Sequence, residues 1–156
     1  MIEQGKELLL ENLLSLREKI FQPDISNEMM KIGRFLKDNC LRKTGPIVTA
    51  TFAIENTGGQ SVLDMEILVP MDKKADLPAE YKYKRVFRLV NAVYARHQGN
   101  PTALQNTYDE MLEHIKKNNL QQITAGYNVN INDMLPGMSM DEMIIDVYIG
   151  VNPNIL

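Results

Sequence analysis

The sequence predicts an α+β fold in which two β-α-β-β repeats form antiparallel sheet, two helices cover one face, and a central cleft lies between the repeats. Three observations predict this architecture. Segments of the first half recur in the same order in the second half, each half holds one stretch with helical apolar spacing, and the chain closes on an alternating strand. With 156 residues the chain is long enough for one domain with a substantial core.

The internal repeat is clearest where NLLSLREKI at 12–20 aligns with NAVYARHQG at 91–99, an offset of 79 residues. This alignment pairs Arg17 with Arg96. Two further pairs of segments follow in the same order: LKDNCL at 36–41 with IKKNNL at 115–120, and MEILVPM at 65–71 with IDVYIGV at 145–151. Because the matches keep their order, they indicate a duplicated unit.

The first repeat, about 8–71, is predicted to form strand, helix, strand and strand. KELLLENLLSLREK has helix-forming residues, but its partner RVFRLVNAVYARH is rich in valine and aromatic residues, so the repeat favours a strand at about 8–20. A helix at about 24–39 is predicted from apolar residues spaced 4, 3 and 4 apart, which are Ile25, Met29, Ile32 and Leu36. Further strands are predicted at about 46–55 and 61–71, joined by a hairpin turn in ENTGGQS.

The second repeat, about 84–152, follows a linker at 72–83 and repeats this order. Its helix is predicted to begin at NPTALQ, with Asn100 as the N-cap and Pro101 in the first turn, and to end near KKNN. The predicted strands lie at about 84–97, 126–132 and 143–151, with a longer connection at 134–142. In the last strand one face is aliphatic, and the other carries Asp146, Tyr148 and Gly150.

Composition and charge exclude several classes of protein. A net charge of −3 gives no electrostatic reason to expect nucleic-acid binding. The single cysteine, Cys40, permits no internal disulfide and fits a reducing compartment. No apolar run approaches the roughly 18 residues of a membrane span. We therefore expect a cytoplasmic protein without nucleic-acid or membrane partners.

The candidate site residues are Asp146, Tyr148 and Glu66. Asp146 and Tyr148 share one strand face, and the repeat places Glu66 at the position that matches Asp146. If the two strands meet near the pseudo-twofold axis, both carboxylates line one groove, where an unpaired carboxylate invites a cation. Strand periodicity alone favours the alternative that both acids face water on the open side of a sheet, since antiparallel sheets often have one solvated face.

The remaining polar residues have structural explanations. Arg17 and Arg96 lie near the ends of matching strands and are predicted to form ion pairs. His97 is expected to flank the loop before the second helix, and His114 to be partly buried. Neither histidine has a partner at metal-ligand or nucleophile spacing, so no metal, cofactor or catalytic residue is predicted.

The two predicted units and the closing acid-x-Tyr-aliphatic strand resemble the GyrI-like small-molecule-binding domains, also called the effector-binding domains of multidrug-responsive regulators. The resemblance covers about residues 8–152. Its most specific part is the closing strand, where the family carries Glu-x-Tyr-aliphatic-x-aliphatic and this chain has DVYIGV at 146–151. The resemblance implies that Asp146, one methylene shorter than the family's glutamate, lies in the central cleft and pairs with a cationic, often aromatic, ligand.

The sequence also looks like short stand-alone members from Gram-positive bacteria, some of which are encoded beside type VII secretion toxins. The resemblance implies a non-catalytic protein that binds a small cationic or amphipathic molecule. Two alternatives remain open: a protein-interaction adaptor whose groove holds a peptide, with a link to those toxin loci, and a hydrolase that acts at the cleft carboxylate. The sequence predicts neither the ligand nor the oligomeric state.

Overall fold

Strands and helices follow one another in the computed structural model in the predicted order. The structure describes residues 1–132 and 138–156. The strands are β1 (Ile2–Phe21), β2 (Val48–Thr57), β3 (Gln60–Pro70), β4 (Lys82–Gln98), β5 (Gln122–Asn130) and β6 (Ile144–Val151). The α-helices are α1 (Ile25–Asp38) and α2 (Leu104–Lys117), and short 3₁₀ turns lie at Gln22–Asp24, Pro101–Ala103 and Met140–Glu142. Within the described residues, no helix has the length and apolar content to cross a membrane.

These elements divide into two compact units. The N-terminal unit comprises Leu10–Val86, and the C-terminal unit comprises Met1–Leu9 together with Phe87–Leu156. The boundaries fall inside β1 and β4, so each of these long strands contributes residues to both units.

In the N-terminal unit β3 is the middle strand, with β1 antiparallel on one side and β2 antiparallel on the other. β2 and β3 form the predicted hairpin, in which Thr57 pairs with Gln60. Gly58 and Gly59 between them have positive φ angles, which suit a tight two-residue turn. The apolar stripe of α1 packs on this sheet, and the shared core includes Leu14, Leu16, Ile32, Leu36, Ile67 and Val69.

In the C-terminal unit β6 is the middle strand, paired antiparallel with β4 and β5. The aliphatic face of β6 is buried, as its alternation predicts, and the core includes Val93, Met111, Ile115, Ile145, Val147, Ile149 and Val151. Gly126 allows α2 to approach β5, because a Cβ at Gly126 would overlap the phenol ring of Tyr108.

The two helices end in the same way. Cys40 and Asn119, which the sequence repeat aligns, both lie in the left-handed region, with φ angles of 55° and 54°. The residue after each donates its N–H to a carbonyl in the last turn of the helix, Leu41 to Leu36 at 2.8 Å and Leu120 to Ile115 at 2.9 Å. Each helix therefore closes with a left-handed C-cap.

The predicted α+β class and the antiparallel pairing are confirmed. Two strand starts are wrong, since β1 begins at Ile2 rather than near residue 8 and β5 begins at Gln122 rather than near residue 126. The opening IEQGK has one apolar residue and a glycine with φ of 67°, so it lacks the alternation that marks a strand. Residues 134–137 of the predicted connection lie outside the described residues. The repeat boundaries, the shared helix face and the cleft stay predictions.

Candidate functional site

Asp146, in the middle strand of the C-terminal unit, belongs to a polar cluster with Arg96 and Tyr94. Arg96 lies directly opposite Asp146, on β4. Its Nε donates to Asp146 Oδ1 at 2.8 Å, and its Nη2 donates to Oδ2 at 3.0 Å. Tyr94 Oη donates to Oδ1 at 2.9 Å. The guanidinium therefore binds the carboxylate with two parallel hydrogen bonds, the geometry in which arginine binds carboxylates best.

The two partners of this ion pair differ in exposure. The side chain of Asp146 is 8% exposed, whereas that of Arg96 is 46% exposed. A buried carboxylate without a partner is unfavourable, so Arg96 supplies the balancing charge while its own head group reaches water. The carboxylate is fixed by the sheet, and the guanidinium has a route to solvent.

Two tyrosine rings adjoin the ion pair. Tyr94 lies directly opposite Tyr148 across β4 and β6, and the ring centroids are 5.1 Å apart at an interplanar angle of 49°. Burial raises the pKa of Tyr94 above its ordinary value, and the hydrogen bond to Asp146 raises this pKa further. Burial also raises the pKa of Tyr148, with a second contribution from the charge of Asp146. Both phenols therefore stay neutral well above physiological pH.

Glu66 occupies the corresponding place in the N-terminal unit, on the middle strand β3. Ser15 Oγ donates to Glu66 Oε2 at 2.5 Å, and Lys84 Nζ donates to the same oxygen at 2.6 Å. The side chain of Glu66 is 7% exposed and that of Lys84 is 38% exposed. As in the C-terminal unit, a buried carboxylate is held by one hydroxyl and one partly exposed cation.

Arg17 lies directly opposite Glu66 in the strand register, yet it forms its bidentate pair with Asp64. Its Nε and Nη2 donate to the Asp64 oxygens at 2.9 and 3.1 Å, and its guanidinium lies 3.8 Å from the centre of the Phe52 ring. The hydrogen bond from Arg17 holds the pKa of Asp64 below its usual value. The predicted ion pairs of Arg17 and Arg96 are both confirmed.

The alternative in which both acids face water is wrong, because Glu66 and Asp146 are 5% and 6% exposed as whole residues. The sequence predictions did not include three residues that bind these acids: Ser15, Tyr94 and Lys84. The sequence does mark the two hydroxyl residues, because Ser15 and Tyr94 each lie two positions before the arginine of their repeat. No comparable spacing in the sequence marks Lys84. The roles of Asp146, Tyr148 and Glu66 in ligand binding stay predictions.

The histidines have structural roles. His97 is buried, with one ring nitrogen 2.9 Å from Thr107 Oγ1 and the other 3.0 Å from the carbonyl oxygen of Asn100. It therefore joins the end of β4 to the start of α2 and does more than flank a loop. His114 is partly buried, as predicted, and lies 2.8 Å from Gln4 Nε2. Across residues 1–132 and 138–156, no group of three or more His, Cys, Asp or Glu side chains is placed to hold a metal ion.

Comparison with known proteins finds similarity in structure only. No protein-family model matches the chain, and no curated protein matches it. The C-terminal domain of EcmrR superposes with a TM-score of 0.77 at 15% identity, covering 97% of this chain and 96% of that one. In an EcmrR–DNA complex the TM-score is 0.75 at 14% identity, covering 97% of this chain, and the match spans 56% of the EcmrR chain.

Two further structures match over nearly their whole length. SAV2435 bound to tetraphenylphosphonium superposes with a TM-score of 0.55 at 13% identity, covering 98% of this chain and 93% of that one. A hydrolase from Listeria innocua superposes with a TM-score of 0.60 at 15% identity, covering 95% of this chain and 92% of that one. The chain shares their fold. At these identities the likeness carries the fold alone.

Proposed function

We propose that this chain is a non-catalytic, GyrI-like protein that binds a small organic cation with an apolar or aromatic body. The observation that carries the proposal is the unequal exposure of the Asp146–Arg96 pair, in which a buried carboxylate is balanced by a half-exposed guanidinium. Two similarities support it: the sequence resemblance to effector-binding domains, and the fold shared with SAV2435, which binds tetraphenylphosphonium.

In this proposal Arg96 is an exchangeable counter-ion for Asp146. An organic cation that reaches Asp146 replaces the guanidinium, so the buried carboxylate keeps a positive partner throughout. The displaced Arg96 head group moves into water, which already reaches nearly half of the side chain. The exchange therefore leaves no charge buried and unpaired.

The adjoining tyrosines supply the remaining recognition. The tilted rings of Tyr94 and Tyr148 present π faces beside the carboxylate, and such faces attract cations. Because burial keeps both phenols neutral, they add no competing charge. Tyr148 is the residue that we expect to stack on the ligand, since Tyr94 is already hydrogen-bonded to Asp146. Within the N-terminal unit, Glu66 with Lys84 as its counter-ion is a second candidate carboxylate for binding a cation.

The test is a titration of purified protein with tetraphenylphosphonium. Calorimetry measures the binding, and the rise in melting temperature that ligand binding causes gives a second measurement. Wild-type protein is expected to bind, and Asp146→Asn is expected to bind about tenfold more weakly, the scale of one charge-assisted contact. Asp64→Asn is the matched control, because it removes an ion-paired carboxylate outside the cluster and is expected to leave affinity within twofold. Equal affinity in wild type and Asp146→Asn would contradict the proposal.

Of the two alternatives, the hydrolase has support from the Listeria innocua neighbour. Catalysis at Asp146 would need a carboxylate free to act as a base, whereas in the proposed binding Asp146 stays paired with a cation throughout, first Arg96 and then the ligand. The nitrogens of His97 are also both engaged. A protein-interaction adaptor stays a prediction, and pull-down of a specific protein without any response to small cations would favour it. We expect no cofactor and no nucleic-acid partner.

A further inference from the structure

The N-terminal unit contains a pocket of about 360 Å³ between α1, β3 and the segment that follows the helix. Its apolar floor is built from core residues, chiefly Ile32, Leu36, Leu41 and Val69, which are at most 6% exposed. This volume falls within the range of pockets that accept small organic molecules. The pocket is therefore large enough to hold a short hydrocarbon chain.

The pocket lies on the opposite face of β3 from Glu66. Successive side chains of a strand point to opposite faces, and Val69 and Ile67 belong to the core beneath α1. Glu66, one residue before Ile67, therefore points away from the pocket. A ligand here would not contact the carboxylate cluster of Glu66, Ser15 and Lys84.

Gly33 lines the mouth of this pocket from the middle of α1. Glycine inside a helix lowers stability relative to alanine, so it calls for a local explanation. Packing does not provide one, because a Cβ at Gly33 would meet no atom within 4 Å. At the matching position of α2 the repeat places Leu112. A larger side chain at position 33 would extend into open space beside the pocket.

The rim of the pocket carries a positively charged side chain. Lys37, in the last turn of α1, lines the pocket. An ammonium at the rim above an apolar floor is complementary to a molecule with one anionic end and one aliphatic end. We propose that this pocket binds an amphipathic carboxylate, a medium-chain fatty acid anion, with its chain against Leu36 and Val69 and its head at Lys37.

This site differs from the one in the proposed function in both position and ligand charge. The Asp146 cluster would take an organic cation, whereas this pocket would take an anion. The two sites can therefore be tested separately, because an anionic ligand should be insensitive to Asp146→Asn.

The experiment titrates wild-type protein with decanoate and with decyltrimethylammonium, which has the same chain length and the opposite charge. Methyl-resolved NMR locates the site, and the titration of the methyl signals of Ile32, Leu36 and Val69 gives the affinity at the pocket itself. Decanoate is expected to shift these three signals with an affinity at least tenfold tighter than that of the cation, which can also bind at the Asp146 cluster. Equal affinity of the two amphiphiles at these three signals, or decanoate shifts confined to β6, would overturn the proposal, as would no decanoate binding at millimolar concentration.

Substitutions at the mouth and the rim of the pocket test the proposed decanoate site further. Gly33→Leu fills the mouth and is expected to weaken decanoate at least tenfold, without lowering the melting temperature because leucine favours helix. Lys37→Glu is expected to weaken it about fivefold or more. Lys116→Glu, the matched lysine in the last turn of α2, is expected to leave affinity within twofold. If Gly33→Leu does not fold, the decanoate affinities of Lys37→Glu and Lys116→Glu still test the proposal. Equal effects of these two substitutions on decanoate affinity would overturn it.

Discussion

The two buried carboxylates, Glu66 in the N-terminal unit and Asp146 in the C-terminal unit, are held by the same kinds of group in different geometry. Each faces an arginine directly across the strand pair. Each accepts a hydrogen bond from the hydroxyl two residues before that arginine, Ser15 for Glu66 and Tyr94 for Asp146. Glu66, which has the longer acidic side chain, is bound by serine, the shorter hydroxyl side chain. Asp146, which has the shorter acidic side chain, is bound by tyrosine, the longer hydroxyl side chain.

The arginines nevertheless behave differently. Arg17 has a second acid within reach, Asp64, and binds that one, so Glu66 relies on Lys84 instead. The residue aligned with Asp64 in the second repeat is Ile144, which offers Arg96 no competing carboxylate. Arg96 therefore pairs with Asp146. This difference between the repeats accompanies the different acids that the two arginines bind.

The largest expected effect comes from removing one arginine from each unit. Arg96→Met removes the cation that pairs with the buried carboxylate of Asp146 and leaves the neutral hydroxyl of Tyr94 as a donor to it. We therefore expect the melting temperature to fall by roughly 6–12 °C. Arg17→Met removes a pair whose two side chains are 48% and 27% exposed, and should cost less than about 3 °C. Calorimetry of the two variants measures the difference. Equal losses would mean that the two pairs are equivalent.

A second difference lies on the helices, where Met29 of α1 aligns with Tyr108 of α2. Burial raises the pKa of Tyr108 to about 12, and its hydroxyl donates to Asn128 at 2.6 Å. The unfolded chain loses this proton near pH 10. The stabilising contribution is therefore complete below pH 10 and is lost as pH rises toward 12, a change of about 2 kcal/mol.

Urea denaturation from pH 9 to 11.5 tests this sign with Tyr108→Phe. The free energy of unfolding of wild type should fall more steeply with pH than that of the variant. The other tyrosines titrate in both proteins and cancel in the difference. Parallel profiles would show that Tyr108 is not the residue responsible.

A smaller effect distinguishes Gly126 from its counterpart Gly45. A Cβ at Gly126 would overlap the ring of Tyr108, whereas a Cβ at Gly45 would meet only Pro70 Cγ at 3.8 Å. Gly126→Ala should therefore lower the free energy of unfolding by about 1–2 kcal/mol, and Gly45→Ala should change it by less than about 0.5 kcal/mol. Chemical denaturation of both variants checks this. A larger loss for Gly45→Ala would reverse the comparison.

The comparison also explains how much the sequence could predict. Alternation in β6 and the 4, 3, 4 spacing in α1 are set by which face is buried, so both elements were predictable from pattern. The repeat correctly favoured a strand in β1 against its helical propensity, because tertiary pairing overrides propensity. The N-terminal extension of β1 was missed, since IEQGK lacks the apolar alternation of a strand.

The site was less predictable than the fold. The position of Arg17 and Arg96 at strand ends predicted that both form ion pairs. It did not predict which acid each arginine binds, because the strand register places Glu66 directly opposite Arg17, whereas Arg17 binds Asp64 on the diagonal. Burial of Glu66 and Asp146 depends on what covers the sheet, which alternation within a strand does not report. Lys84 reaches Glu66 from a strand that is not paired with β3 in the described ladders, so no local spacing marks it.

The central claim is that Arg96 is an exchangeable counter-ion for Asp146, and the affinity of Arg96→Met for tetraphenylphosphonium tests it most directly. If the ligand cation must displace the guanidinium, removing the guanidinium should strengthen binding about tenfold, because a competing charge-assisted contact is gone. The double variant Arg96→Met with Asp146→Asn should lose this gain. Unchanged or weaker binding by folded Arg96→Met would contradict the claim and leave the pair as a structural ion pair.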